Sequence, residues 1–335
     1  MYFSPEGSVA LACWSDCIFH LYAAPIDTFL LNSIYNTTHE RTLPSDTIDP
    51  VTNRISTRWQ EAQRRLKEMI EILAYVPFSE IIVCFLNRTD TLHFVRQGRN
   101  PKAFLADAYR EIDAAFARGA SGSTPFLEKL QESFVRGANR SVARYFFGDG
   151  VPNGGNPAKA EVVKILCTRQ NPEGNPMTFL SCTNEDEQVE WMKDTEELAP
   201  YCSESDDFQD EANEVLKDQG AALPYSYGFY LVSCLVAAMN PDDLDAMDES
   251  VPLTKATLDN LLGIENSPEN YKHYFNNFLA AQKKRPVEND DYGRPKKTDQ
   301  VKRNMDWNAL YEDFLRAPVA KQIPAVQNFK QQLLS

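Results

Sequence analysis

Apolar and polar positions along the chain follow two different periods. Between residues 58 and 75, Trp59, Ala62, Leu66, Met69, Ile70 and Leu73 fall on one face at helical spacing. The next run, 79–86 (SEIIVCFL), is almost continuously β-branched and aromatic, the pattern of a strand covered on both faces. Residues 91–96 alternate weakly and suit an edge strand. A second helical stripe follows in 101–118, carried by Phe104, Leu105, Ala108, Ile112, Ala115 and Phe116, with Pro101 suited to the first helical turn. After a glycine-rich break, a helix is expected to start at Ser123 or Thr124, with Pro125 near its first position and Leu127, Leu130 and Phe134 inward. Residues 142–147 read as a buried strand, 158–168 as a helix, 177–182 as a strand and 186–198 as a helix. A short strand begins near Tyr201 and Cys202.

The ends of the chain read differently. Two short strands are expected near 9–22 and 27–35, then a long polar loop over 36–56, rich in Pro, Asp and Thr. Segments 211–217, 225–239 and 254–262 look helical, and beyond 263 only helices are expected, at 267–283, 305–316 and 318–334. Strands and helices alternate to about residue 205, which implies βαβ units. The expected fold is therefore α/β: a doubly wound, mostly parallel sheet with helices on both faces. The expected division is an α/β domain over residues 1–262 and an all-helical C-terminal extension over 263–335, packing on the α/β body. A length of 335 residues suits one large domain plus an extension.

Charge changes the picture more than overall composition does. The net charge is −14, yet residues 185–259 alone hold twenty Asp and Glu against three Lys, so the remainder is slightly basic. Such acidity argues against nucleic acid as a partner, because phosphates are repelled. No stretch approaches the roughly 20 apolar residues of a membrane helix. Seven cysteines (Cys13, Cys17, Cys84, Cys167, Cys182, Cys202, Cys234) show no C-x-x-C pair. That pattern suits free thiols in a reducing, cytoplasmic compartment. The segment 283–303, basic and rich in turn formers, reads as a linker.

The chemistry concentrates at 141–155 (SVARYFFGDGVPNGG). A strand runs into Gly148-Asp149-Gly150, with Pro152 close behind, so a carboxylate stands at a strand's carboxyl end, where open α/β sheets bind ligands. Upstream, Gly122-Ser123-Thr124-Pro125 opens a helix. In this order, and with Ile82-Val83-Cys84-Phe85-Leu86-Asn87 before them, these motifs resemble the von Willebrand factor A domain, in its intracellular branch, over roughly residues 27–205. The resemblance implies a metal-ion-dependent adhesion site that takes Mg²⁺ from three loops. Thr124 matches the second loop and Asp149 the third. The first loop, Asp-x-Ser-x-Ser in the family, departs from the pattern: Asn32-Ser33-Ile34-Tyr35-Asn36 puts Asn32 in place of the leading Asp. Ile34 and Asn36 then stand where hydroxyls belong. Losing that carboxylate removes a negative charge from the ion's shell. Asp27 is an alternative anchor, but Thr28-Phe29-Leu30-Leu31 does not continue the motif. The sequence admits both a working cation site built on Asn32, Asn36, Thr124 and Asp149 and a degenerate one that keeps only the fold.

Rival chemistries find less support. The glycines at 148–155 lack the Lys-Ser/Thr of a Walker loop and the G-x-G-x-x-G spacing. His20, His39, His93 and His273 lie in unrelated contexts with no Cys partner, and no His/Cys cluster suits zinc. The acidic run 241–250 lacks the central Gly and terminal Glu of a calcium loop. By resemblance the expected function is protein recognition through the carboxyl-end loops, assisted by Mg²⁺ if the ion is kept, and not catalysis. The family acts as binding modules inside larger assemblies, in eukaryotes and bacteria, and occurs in some pathogen effectors. The competing class is a hydrolase-type enzyme using the same sheet edge through an acid–base pair distant in sequence.

Overall fold

The computed structural model describes residues 28–33, 44–48, 54–76, 78, 80–96, 98–119, 122–183, 186–239, 247, 251–285 and 306–317. The chain divides into two compact units. One comprises Ile18–Gln209 with Leu231–Pro241, the other Met1–Cys17, Asp210–Tyr230 and Asp242–Ser335. The helical unit thus takes in residues well before 263.

The first unit is α/β, built on a six-stranded sheet. Its strands are β1 (Thr28–Ser33), β4 (Glu80–Phe85), β5 (Thr91–Val95), β6 (Val142–Gly148), β7 (Met177–Ser181) and β8 (Cys202–Ser205). The order across the sheet is β5-β4-β1-β6-β7-β8. Every neighbouring pair is parallel except β4 and β5. β5 is the edge strand its weak alternation predicts, with Leu92 and Phe94 buried and Thr91, His93 and Val95 outward. The 36–56 loop expectation needs correction. Pro44–Ile48 (β2) pairs antiparallel with Ile55–Thr57 (β3), a small ribbon separate from the main sheet. Thr47, Ile48, Ile55 and Thr57 are β-branched, and that local preference was masked by the surrounding Asp and Pro. The strand expected at 9–22 lies outside the described residues, as does the helix at 318–334.

Five helices alternate with the strands: α1 (Arg58–Leu73), α2 (Pro101–Phe116), α3 (Phe126–Arg136), α4 (Gly155–Thr168) and α5 (Asp186–Leu198). α1 begins with a capping box, in which the Thr57 hydroxyl accepts from the Gln60 amide and Gln60 Oε1 accepts from the Thr57 amide. α2 has Asn100 as its cap and Pro101 in the first turn, as its sequence predicts. α3 starts at Phe126, later than Ser123 or Thr124, because the Thr124 amide and carbonyl are engaged outside the helix by Asn153.

β6 is buried at all seven positions. Its successive side chains point to opposite faces, and each face meets a helix. On one face Phe146 joins Phe126 of α3, Phe179 of β7 and Trp191 of α5, with ring centroids 4.0, 6.0 and 6.1 Å away. On the other, the Tyr145 hydroxyl donates to the Leu235 carbonyl at 2.5 Å, and the Arg65 guanidinium of α1 lies 5.9 Å from the Phe147 ring. At the amino end of β6, Arg144 is 1% exposed. It donates to Ser133 Oγ and O, Val142 O and Asn175 Oδ1 at 2.9–3.3 Å. Burial, with Arg169 nearby, pulls its pKa down to about 9.

The second unit packs α6 (Phe208–Gln219, from residue 210), the first residues of α7 (Tyr227–Val236), α8 (Lys255–Leu262), α9 (Pro268–Lys284) and α10 (Trp307–Arg316). Leu258, Leu261, Tyr271, Tyr274, Phe275 and Phe314 share its core. Its buried hydroxyls are matched: the Leu253 amide donates to Tyr274 Oη at 2.8 Å, Tyr274 donates to Gln219 Oε1 at 2.5 Å, and Tyr271 donates to Leu253 O at 3.0 Å.

The aromatic cluster around Phe146 is fully enclosed, so truncation leaves a cavity. Phe146→Ala is expected to destabilise the α/β unit by about 3–5 kcal/mol, read as a lower urea midpoint in unfolding followed by Trp fluorescence. A midpoint within error of wild type contradicts this account of the core.

Candidate functional site

β1 and β6 lie side by side and parallel, with Asn32 in register with Phe146. The chain leaves them in opposite lateral directions, from β1 towards β4 and from β6 towards β7. In open α/β sheets such a point, beyond the carboxyl ends of the strands, is where ligands bind. Asp149 follows directly on β6 there and is 2% exposed.

The Asp149 carboxylate is met by a cation from the chain itself. Arg58, the first residue of α1, places Nη1 3.6 Å from Asp149 Oδ2, and the two side chains are 4% and 0% exposed. The helix N-terminus adds partial positive charge on the same side. The polar row continues along α1. Glu61 and Arg65 pair at 3.6 Å, both buried. Arg65 Nη1 donates to the Ser181 carbonyl at the end of β7, at 2.8 Å. The Ser181 hydroxyl donates to Asp206 Oδ1 at 2.7 Å, and Lys193 Nζ donates to Asp206 Oδ2 at 2.9 Å. Arg58, Arg65 and Lys193 thus each meet a carboxylate or carbonyl along the carboxyl edge from β6 to β8.

The loop before α3 reaches the same place. Asn153, just past the Gly148-Asp149-Gly150 turn, accepts from the Thr124 amide at 2.9 Å and donates Nδ2 to Ser123 Oγ at 2.9 Å. Its own amide donates to Thr124 O at 2.8 Å. From the end of β4, Asn87 Nδ2 donates to Ser123 O at 2.5 Å. Gly122 lies against Asn87 with φ +97°, and a Cβ there would fall 2.5 Å from Asn87 Cγ, so only glycine fits. Gly122, Ser123, Asn153 and Gly154 are exposed over buried Thr124 and Asp149.

Of the four residues singled out from sequence, the structure gathers two loops: those of Thr124 and Asp149, joined through Asn153. Asn32 lies in β1, in register with Cys84 and Phe146. Asn36 lies outside the described residues. Among the described residues, no group of three or more His, Cys, Asp or Glu gathers as metal ligands do. Sequence reasoning missed Arg58, Glu61, Arg65, Asn87 and Asn153. The signal was present in α1, where charged residues at 58, 61 and 65 interrupt the apolar face at helical spacing. A divalent cation on Asp149 would sit within a few Å of the Arg58 guanidinium. Two to one like charges at about 4 Å repel by roughly 8 kcal/mol at an effective dielectric of about 20. The Arg58 guanidinium therefore opposes an added cation at that carboxylate.

An acid–base pair does occur, at the opposite edge. His93 of β5 hydrogen-bonds Glu80 at the start of β4, and Arg140 hydrogen-bonds the same carboxylate. Burial raises the Glu80 pKa, but the hydrogen bonds from His93 and Arg140 outweigh it and hold it below the usual glutamate value. His273 lies on α9, and His20 and His39 lie outside the described residues. No helix among the described residues is long and apolar enough to cross a membrane. No family model matches the chain, and no curated protein matches it in sequence.

Two measurements check this electrostatic account. Arg58→Met and Asp149→Asn are each expected to cost about 3–5 kcal/mol of stability, because each strands a buried charge. The double variant is expected to cost clearly less than their sum, and an additive result would remove the coupling. For Glu80, whose folded pKa is depressed, the stabilisation is present above its unfolded value and lost as pH falls through the folded value. Glu80→Gln is therefore expected to flatten the acid side of the melting-temperature profile while lowering stability at neutral pH. An unchanged acid limb excludes this role.

Proposed function

We propose that the α/β unit is a doubly wound domain of von Willebrand factor A type and that the protein is a protein-binding module working through its carboxyl-edge loops. Numbered in chain order, the six sheet strands run 3-2-1-4-5-6, the doubly wound order, with its switch point between β1 and β6. The observation that carries the reading is the Arg58–Asp149 pair at that switch point, beside the Thr124 loop that Asn153 ties in. In this reading the guanidinium takes the place of Mg²⁺: it neutralises Asp149 and holds the α1 terminus against the turn without a soluble ion. The recognition surface is then Gly122, Ser123, Asn153 and Gly154, exposed on a base made rigid by the buried ion pair. Exposed loops on a fixed scaffold suit contact with another protein. The net charge of −14 disfavours nucleic acid. The five cysteines among the described residues are free, four of them buried, which supports a reducing, cytoplasmic setting.

Thermal melting of the purified chain in Mg²⁺ or Mn²⁺ is expected to show no cation-specific rise. A rise abolished by Asp149→Ala would instead establish a bound cation. Affinity capture is expected to retain a defined protein in EDTA and to lose it with Asn153→Trp, which blocks the exposed loop surface. Capture unchanged by Asn153→Trp would move the binding surface elsewhere.

A further inference from the structure

At the carboxyl end of β4, a cavity of about 190 Å³ opens between the strand, the loop after it and α3. It is smaller than the roughly 300–1,000 Å³ of pockets for drug-sized ligands, so its occupant is small. Three cations, Arg88, Lys129 and Arg136, line it with Glu132, Ser133 and the Cys84 thiol.

The pairing of these cations is uneven. Arg88 forks onto Asp90 at 3.0 and 2.8 Å, and Asp90 also takes Arg118 at 2.9 Å. The Arg88 hydrogen bonds hold the Asp90 carboxyl well below the usual range, so it stays ionised. Lys129 pairs with Glu132 at 2.8 Å. Arg136 differs: among the described residues its one polar partner is Cys84 Sγ, to which Nη1 donates at 3.0 Å. Burial pushes that thiol's pKa up, so the sulfur is neutral and gives Arg136 no charge compensation. Of the lining residues, Arg88 is answered by Asp90 and Lys129 by Glu132, so Arg136 is left as a positive charge that no carboxylate among the described residues answers, beside a small polar cavity. This stands out in a chain of net charge −14. A planar guanidinium beside an ammonium, with the lining residues Thr89 and Thr91, is a donor set that oxyanions fill with charge-assisted hydrogen bonds.

We propose that this cavity binds a small tetrahedral oxyanion, free phosphate or the phosphate group of a monoester, held mainly by Arg136 and Lys129. The site is separate from the Asp149 turn and needs no protein partner.

Calorimetric titration of the full chain with inorganic phosphate, and separately with O-phosphoserine, tests it in phosphate-free buffer at low ionic strength. Saturable one-site binding of either probe is expected, and the tighter of the two identifies the source. Arg136→Gln and Lys129→Gln, both at solvent-accessible positions, are each expected to weaken it about tenfold or more while leaving the melting temperature unchanged. Asp149→Asn is expected to leave phosphate affinity unaltered. As an independent readout, phosphate is expected to raise the melting temperature of wild type but not of Arg136→Gln. No saturable binding of either probe, or equal affinity in Arg136→Gln, overturns the proposal.

Discussion

Two charges taken out of water must face each other at the end of β6, and much of the α/β unit is arranged around that requirement. Removing Arg58 and Asp149 from solvent costs several kcal/mol for each ion, offset only when the partner is held in place. The capping box at Thr57 fixes where α1 begins and so where Arg58 stands. The fully buried strand β6 fixes where Asp149 stands. A shift of either element by one residue would leave a buried charge facing apolar side chains. Helix start and strand end are therefore coupled across 91 positions of sequence.

The same strand is anchored by a second buried cation at its other end. Arg144 spreads its donors over the last turn of α3, β6 itself and the loop before β7, all through neutral acceptors. Burial therefore pulls its pKa down, whereas the Arg58 guanidinium faces a carboxylate. One guanidinium binds the structure together by hydrogen-bond geometry, the other by charge. On the face of β6 that Arg144 shares with Phe146, the Phe126, Phe146, Phe179 and Trp191 rings supply the apolar burial.

The helical unit pairs one buried carboxylate, Asp218, with Arg285 and satisfies other buried groups through neutral partners. Tyr271, Tyr274 and Gln219 place three polar tips among Leu and Phe side chains, and each tip is answered by a neighbour's backbone or amide. Burial raises both tyrosine pKa values, which keeps the hydroxyls protonated as donors. Its helices are readable as amphipathic stripes. The hydrogen bonds that set their register are not, because Gln219, Leu253 and Tyr274 lie far apart in sequence.

Local pattern alone determined the strands at 80–85, 142–148 and 177–181, the helices between them, the first-turn proline of α2 and the glycine-flanked carboxylate at 149. Each is written in neighbouring residues: a run of β-branched and aromatic side chains, a 3.6-residue stripe, a turn former in place. The ribbon of β2 and β3 escaped because its pairing joins two short polar segments that carry little signal singly. The site was half legible. Thr124 and Asp149 stand out as motif residues, but which side chain would face Asp149 depended on the crossing of α1 over the sheet edge. Arg58 looks like one more surface charge until tertiary structure sets it beside a carboxylate and closes both from water. Tertiary contacts alone decided that partner, because an ion pair between residues distant in sequence leaves no local periodicity to read.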